Sequence, residues 1–179
     1  GVFGIVVVPS GNYVLSDTVY IWKGIRVIGC GPTRPVFSLA PNTPGFNGPD
    51  PKYLFHFTSY RPEPGDPIRD ANPGTFYSAL TNVDLVIGPG NRSAVGVRSH
   101  FAQHSFLSHV RFEIGDGLAG VQKVGNIIHD CEFVGGQYGI MTTKPSPSWP
   151  FALMDSRFEG QRRAAILTEE AGMSILRCS

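Results

Sequence analysis

The sequence predicts an all-β solenoid, a right-handed parallel β-helix, and three observations carry that prediction. Strand-like phrases recur at a period in the twenties, no stretch holds a helical period, and 22 glycines and 15 prolines among 179 residues supply turns that helices would not tolerate. Hydrophobic residues make up 41% of the chain and charged ones 16%, which suits one domain with its own core, spanning 1–179. A net charge of +1 gives no bulk electrostatic reason to bind nucleic acid or an anionic membrane surface. The apolar run at 1–8, GVFGIVVV, falls far short of the roughly 20 residues that a membrane-spanning helix needs.

Taken in order, the chain opens on that strand-like run. A turn, Pro9-Ser10-Gly11-Asn12-Tyr13, follows, and then strands that end at Ile28-Gly29-Cys30-Gly31. Residues 40–75 depart from the repeat. They hold most of the prolines around an apolar island, Tyr53 to Phe57, and read as a Pro/Gly-rich insertion: loops around one strand at 53–58, or a lid over one end of a groove. Beyond it the period is explicit. Leu85, Phe112, Phe133 and Phe158 fall at intervals of 27, 21 and 25 residues, and two positions before them stand Val83, Val110, Cys131 and Ser156. Cys178 occupies that column in a last, incomplete unit, so the chain reads as part of a larger protein, and its own C-terminal end is expected to expose strand edges unless another segment covers them. After a glycine-bearing turn each unit has a second strand, with Val95 and Val97, Ala119 and Val121, Tyr138 and Ile140, and Ala164 and Ile166 as its inward residues. Such a unit cannot bury its own face, and stacked copies can.

A leucine-rich repeat would need a leucine scaffold and an asparagine at fixed offsets, and neither is present. The β-branched and aromatic strands with turns of variable length favour the parallel β-helix, and parallel crossovers take the right hand almost always. Three cysteines, Cys30, Cys131 and Cys178, make an odd count without metal-type spacing. Cys131 and Cys178 read as small hydrophobes in the inward stack.

The outward columns carry the chemistry. Asp84, Arg111, Glu132 and Arg157 alternate in sign from coil to coil, which reads as an ion-pair ladder of modest worth. Asn82, His109, Asp130, Asp155 and Arg177 form the other column of the first strand. Asp130 and Asp155 there stand on adjacent coils, and two carboxylates so placed would raise one pKa and supply an acid and a base, the pair that glycoside hydrolysis uses. His109 and Arg177 at the flanks are in place to neutralise them. On the second strand Gly96, Gly120, Gly139 and Ala165 read as an outward trough of small residues, continued by Arg98, Gln122, Met141 and Leu167. His100, His104 and His109 do not share one element and make no metal cluster. Glu169 and Glu170 read as solvated, and Arg162 and Arg163 as partners for uronate carboxylates if the chain were a lyase.

The opening VVVPSGNYVLSDTVYIWKGIRVIGCG resembles the start of many pectate-lyase-superfamily β-helices. More narrowly, FYSALTNVDLVIG, AVGVRSHFAQHSFLSHVRFEIG and GNIIHDCEFVGGQYGI resemble in order the N-terminal β-helix of glycoside hydrolase family 55, the exo-acting β-1,3-glucanases. That resemblance implies two β-helices side by side, with the general acid on a later part of the chain. It implies polysaccharide or oligosaccharide as partner, together with the remainder of the same protein, and a secreted, cell-surface or periplasmic location. Gln103, from the Ala-Gln-x-Ser phrase, and Arg98, Gln122 and Tyr138 become candidate sugar contacts, beside Asp130 and Asp155 as candidate catalytic residues; no cofactor or metal is expected. A polysaccharide lyase acting on a uronate polymer and a noncatalytic, tailspike-like scaffold remain open, since fold alone does not choose between them.

Overall fold

A computed structural model of the chain describes residues 3–71, 76–144 and 150–179. The last four positions of the expected 40–75 insertion lie outside the described residues. Within them the elements are all strands: β1 (Gly4–Pro9), β2 (Asn12–Leu15), β3 (Val19–Trp22), β4 (Ile25–Cys30), β5 (Val36–Leu39), β6 (Lys52–Thr58), β7 (Ala79–Ile87), β8 (Ala94–Arg98) and β9 (Phe106–Gly115) come first. There follow β10 (Ala119–Gln122), β11 (Ile127–His129), β12 (Glu132–Gly135), β13 (Tyr138–Thr143), β14 (Phe151–Met154), β15 (Arg157–Glu159), β16 (Ala164–Glu169) and β17 (Met173–Leu176). One sheet runs β1-β4-β7-β9-β11-β14-β17 with β2, β5, β12 and β15 attached, and the other runs β16-β13-β10-β8-β6-β3. Neighbours pair in parallel, and successive coils cross from one sheet to the other and back. This is the right-handed parallel β-helix that the repeat predicts. The apolar island of the 40–75 stretch is β6, a full member of the second sheet.

The core follows the predicted columns. Val83 pairs with Val110 and Leu85 with Phe112, while Phe133 sits between Phe112 and Phe158. The three phenyl rings stack face to face, with centroids 4.8 and 4.7 Å apart and planes within 5° of parallel. That spacing is the rise from coil to coil, about 4.8 Å, so the stack sets both the register and the separation of the coils. Cys131 lies buried in the adjacent column and donates its backbone N–H to the Ser156 hydroxyl at 3.2 Å. Burial pushes its thiol up to about 12, which leaves it a small apolar side chain at neutral pH.

Three readings of the columns need correction. The glycines of the second sheet face the core and not a trough: a Cβ on Gly96 would stand 2.8 Å from Cδ1 of Phe112, one on Gly120 2.7 Å from Phe133, and one on Gly139 2.6 Å from Phe158. Phenyl rings occupy the volume that side chains at those positions would need. Tyr138, expected to point inward, is only half-buried, and its hydroxyl accepts from Arg163 at 3.3 Å. The column Asn82, His109, Asp130, Asp155 and Arg177 is not straight strand either. Each of the five has φ between 50 and 57°, so the column is a stack of left-handed corners at which every coil bends. Asn, Asp and His tolerate that conformation better than other residues with a Cβ, and a backbone requirement explains four of the five residue types without any chemistry.

Removing the middle ring tests the stack directly. Phe133→Ala is expected to cost about 3–5 kcal/mol in urea denaturation, and Gly120→Ala about 1–3 kcal/mol through overpacking against that same ring. In the double variant the two penalties should not add, because the missing phenyl frees the space that the added methyl needs.

Candidate functional site

Register carries one row of side chains across all six strands of the second sheet: Tyr20, His56, Arg98, Gln122, Met141 and Leu167 are successive ladder partners. The row changes character along its length. At its upstream half the chain after β6 folds back, with a Thr58–Asp70 bridge and an Ala71 N–H to Phe57 carbonyl bond of 3.1 Å, and delivers the Asp70 carboxylate onto the sheet. Arg98 grips it with Nε and Nη2 at 2.5 and 2.6 Å, His56 Nε2 lies at 2.9 Å and His100 Nδ1 at 3.4 Å. Burial pushes the Asp70 carboxyl up, but the hydrogen bonds from His100, His56 and Arg98 and the Arg98 charge outweigh it and hold the group well below the usual carboxylate range. Asp70 is therefore a fixed anion with both oxygens occupied, unsuited to proton transfer.

Arg98 spends its remaining donors on the next positions. Its Nη1 reaches the Tyr53 hydroxyl at 2.8 Å and Gln122 Oε1 at 3.2 Å, and Tyr53 itself donates to Gln122 Oε1 at 2.5 Å. The guanidinium carbon lies 5.2 Å from the centre of the Tyr53 ring. Burial pushes the Tyr53 phenol up, which keeps the proton that this bond requires. From Gln122 onward the network opens into a cleft of about 270 Å³ lined by Gln122, Lys123, Met141, Thr143, Leu167 and Glu169, among others. Lys123 Nζ donates to Thr143 Oγ1 at 2.6 Å on its rim. A floor of Met141 and Leu167 with a rim of amide, hydroxyl, ammonium and carboxylate matches a sugar ring, whose faces present C–H groups and whose edge presents hydroxyls.

Of the residues proposed from sequence, Arg98 and Gln122 are brought together here. Tyr138 lies at the beginning of β13 beside Arg163, and Gln103 is exposed in the loop between β8 and β9, its carbonyl accepting the Tyr77 N–H at 3.4 Å. Asp130 and Asp155 belong to the corners of the first sheet and do not line the cleft. Both have the flanking partners expected from sequence, with His129 in addition. His109 Nε2 stands 3.3 Å from Asp130, His129 Nε2 3.3 Å from Asp155, and Arg177 holds Asp155 through two bonds of 2.6 and 2.8 Å. Hydrogen bonds from Arg177, together with its charge, keep the Asp155 carboxyl below its ordinary value. In the other outward column the ladder is partial: Arg111 bonds Glu132 and Glu113, whereas Asp84 pairs with Arg34 and Arg157 with Glu159.

Tyr53, Asp70, Lys123 and His129 escaped the sequence reading. Tyr53 and Asp70 come from the stretch without a repeat, where no column assigns a partner. His129 was within reach, because it precedes Asp130 as Ser108 precedes His109, and the ladder sets Ser108, His129 and Met154 in one row.

The parallel β-helix is the fold expected of a protein of the pectate lyase-like class. The sequence model of the family described as Rhamnogalacturonase A/epimerase, pectate lyase-like, matches residues 1–178, and the chain belongs to that family. No curated protein matches it. The family placement points to a carbohydrate-active β-helix and does not extend to the narrower likeness to glycoside hydrolase family 55.

Two measurements follow from these networks. Because the folded pKa of Asp70 lies below the ordinary value of 3.8, its contribution to stability is fully present above about pH 4 and is lost as pH falls below that toward the folded value. Asp70→Asn is expected to cost about 3 kcal/mol at neutral pH and to flatten the acid limb of the stability profile. At the corner, Asp130→Gly should leave stability nearly unchanged, whereas Asp130→Val should cost about 1–2 kcal/mol for forcing a β-branched residue into left-handed backbone.

Proposed function

We propose that this chain is the saccharide-binding β-helix of a glycoside hydrolase, with the sugar seated in the cleft at the ends of β10, β13 and β16. The observation that carries the reading is the change along the outward row, from the saturated Asp70–Arg98 network to an open cleft with an apolar floor and a polar rim. Gln122 joins the two halves, since its amide oxygen is held by Tyr53 and Arg98 while its side chain lines the cleft. Glu169 is the carboxylate on that rim. A net charge of only +1 and the phrases that resemble those of β-1,3-glucanases favour a neutral β-1,3-glucan, with Gln103 as a further sugar contact. Asp130 and Asp155 do not line that cleft, and as an acid and base they would act on a sugar bound at the corners of the first sheet, where Asp155, paired with Arg177, is the carboxylate that stays charged.

The reading is tested with β-1,3-gluco-oligosaccharides. Gln122→Ala and Glu169→Gln should weaken binding or turnover at least tenfold without lowering the melting temperature, and Gln103→Ala should act in the same direction. Asp130→Asn and Asp155→Asn should lower turnover a hundredfold or more if those carboxylates are chemical, and should change only stability if they serve the corners. The second reading, a polysaccharide lyase, is favoured by the words pectate lyase-like in the family's description, whereas the rhamnogalacturonase named there is a hydrolase of a uronate-containing polymer. Release of unsaturated, ultraviolet-absorbing ends from a polyuronate, with no reducing sugar from β-1,3-glucan, would establish it in place of the hydrolase.

A further inference from the structure

The turns after β7, β9, β12 and β15 lie above one another, and together they line an open cleft of about 550 Å³ with Arg92, Asp116, Gln137, Arg162 and Arg163. These turns belong to four successive coils, so the cleft extends about 14 Å along the solenoid axis at about 4.8 Å per coil. It lies where the strands of the second sheet begin, whereas the cleft with Gln122 lies where they end.

Its electrostatics are lopsided. The guanidinium of Arg162 is nailed in place by the carbonyls of Gly115, Asp116 and Gly117 at 2.8, 3.0 and 3.4 Å, reaching back over the intervening coil. Holding so long a side chain in one pose has an entropic cost, and it fixes a positive charge on the lining of the cleft. Arg163 donates to the Tyr138 hydroxyl, and its backbone N–H bonds the Gln137 carbonyl at 3.0 Å. Asp116 is the one carboxylate on the lining. Its Oδ2 accepts from the Gly90 N–H at 2.9 Å and its Oδ1 is buried without a partner, so among the described residues it forms no ion pair with any of the three arginines. Three guanidinium groups face one carboxylate that is already turned to the backbone. Crowded like charges repel one another, and a bound anion relieves that repulsion through the paired N–H donors that arginine presents to planar oxyanions.

We propose that this cleft is a second saccharide site, distinct from the one at Gln122, which takes an anionic group of a carbohydrate, a uronate carboxylate or a sulfate ester, between Arg92 and Arg163 above the fixed charge of Arg162. Gln137 and the Tyr138 hydroxyl are placed to meet neighbouring sugar hydroxyls, which gives Tyr138 a role in sugar binding apart from the Gln122 cleft. The nature of the anion rests on the carbohydrate reading above, and the site itself does not.

The test is calorimetric titration of the protein with three oligosaccharides of matched length: an oligogalacturonate, a sulfated oligosaccharide and a neutral β-1,3-gluco-oligosaccharide. At least one anionic ligand should bind, more weakly as ionic strength rises. The double variant Arg92→Gln/Arg163→Gln should lose at least tenfold in that affinity while Lys23→Gln, at an exposed cation in the turn between β3 and β4, keeps it. Arg163→Lys, which retains the charge and loses the fork, should fall between. Galacturonate binding alone identifies the carboxylate as the anion, and equal binding of the sulfated ligand identifies recognition by charge; both support the site. Absence of anionic binding, or equal affinity in the double variant, overturns it. If the neutral ligand alone binds, and does so through Gln122, this inference falls and the function proposed above stands. If the anionic ligands alone bind, the reverse holds.

Discussion

Parallel strands joined by long crossovers have no tight turn to fix their register, so something else must forbid a slip. Here it is the column of phenyl rings, Phe112, Phe133 and Phe158, spaced at 4.8 and 4.7 Å. Sliding one coil by one residue would exchange these rings for Arg111, Glu132 or Arg157 and bury a charge. The glycines of the opposite sheet are the counterpart of that constraint. Rings of this size, stacked at the coil spacing, extend to the far wall of the solenoid, and only a wall without Cβ atoms admits them. Side-chain chemistry on the outer faces is thereby set in rows, because whatever projects from one coil lies directly over its ladder partner on the next.

That order governs both clefts. The row through His56, Arg98, Gln122, Met141 and Leu167 is polar where the Asp70 segment covers it and apolar where nothing among the described residues does. Asp70 is worth most as an organiser: by taking both faces of the Arg98 fork it leaves Nη1 to aim Tyr53 and Gln122. The corner column obeys a different rule. Its Asp and His residues suit left-handed backbone first, and their ion pairs with His109, His129 and Arg177 come with the stacking.

Sequence reading recovered the solenoid because its signal is redundant. Four copies of an apolar pair, Val83 with Leu85, Val110 with Phe112, Cys131 with Phe133, and Ser156 with Phe158, place one another, and the same columns correctly put Arg98, Gln122, Met141 and Leu167 on one face. Reading failed where a rule of strict alternation failed. Gly96 and Val97 both serve the core, as do Gly120 and Val121, so the glycines were assigned to the wrong side. Left-handed corners are likewise invisible to a count of alternate residues, although the run Asn, His, Asp, Asp contains the hint in its composition. The candidate site was only half readable. Arg98 and Gln122 lie on the repeat, whereas Tyr53 and Asp70 come from a stretch whose sequence shows no period: Tyr53 joins the sheet on β6 opposite Val95, and Asp70 reaches it only by the fold-back after β6.

The pairs that hold this molecule together are separated by about one coil of chain, as in Val83 with Val110 or Phe133 with Phe158. Each coil thus answers to its two neighbours and to little else, the condition under which stability becomes a sum of adjacent couplings along a line. Cooperativity in such a chain is finite in range. Opening of one coil takes a neighbour from the next, so it moves along the stack one step at a time, and a coil flanked on both sides exchanges its backbone amides later than one flanked on a single side. The same linearity lets the turns differ in length from coil to coil, at intervals of 27, 21 and 25 residues, without disturbing the layer beneath. A binding surface built on those turns can be rewritten while the stack that carries it stays as it is.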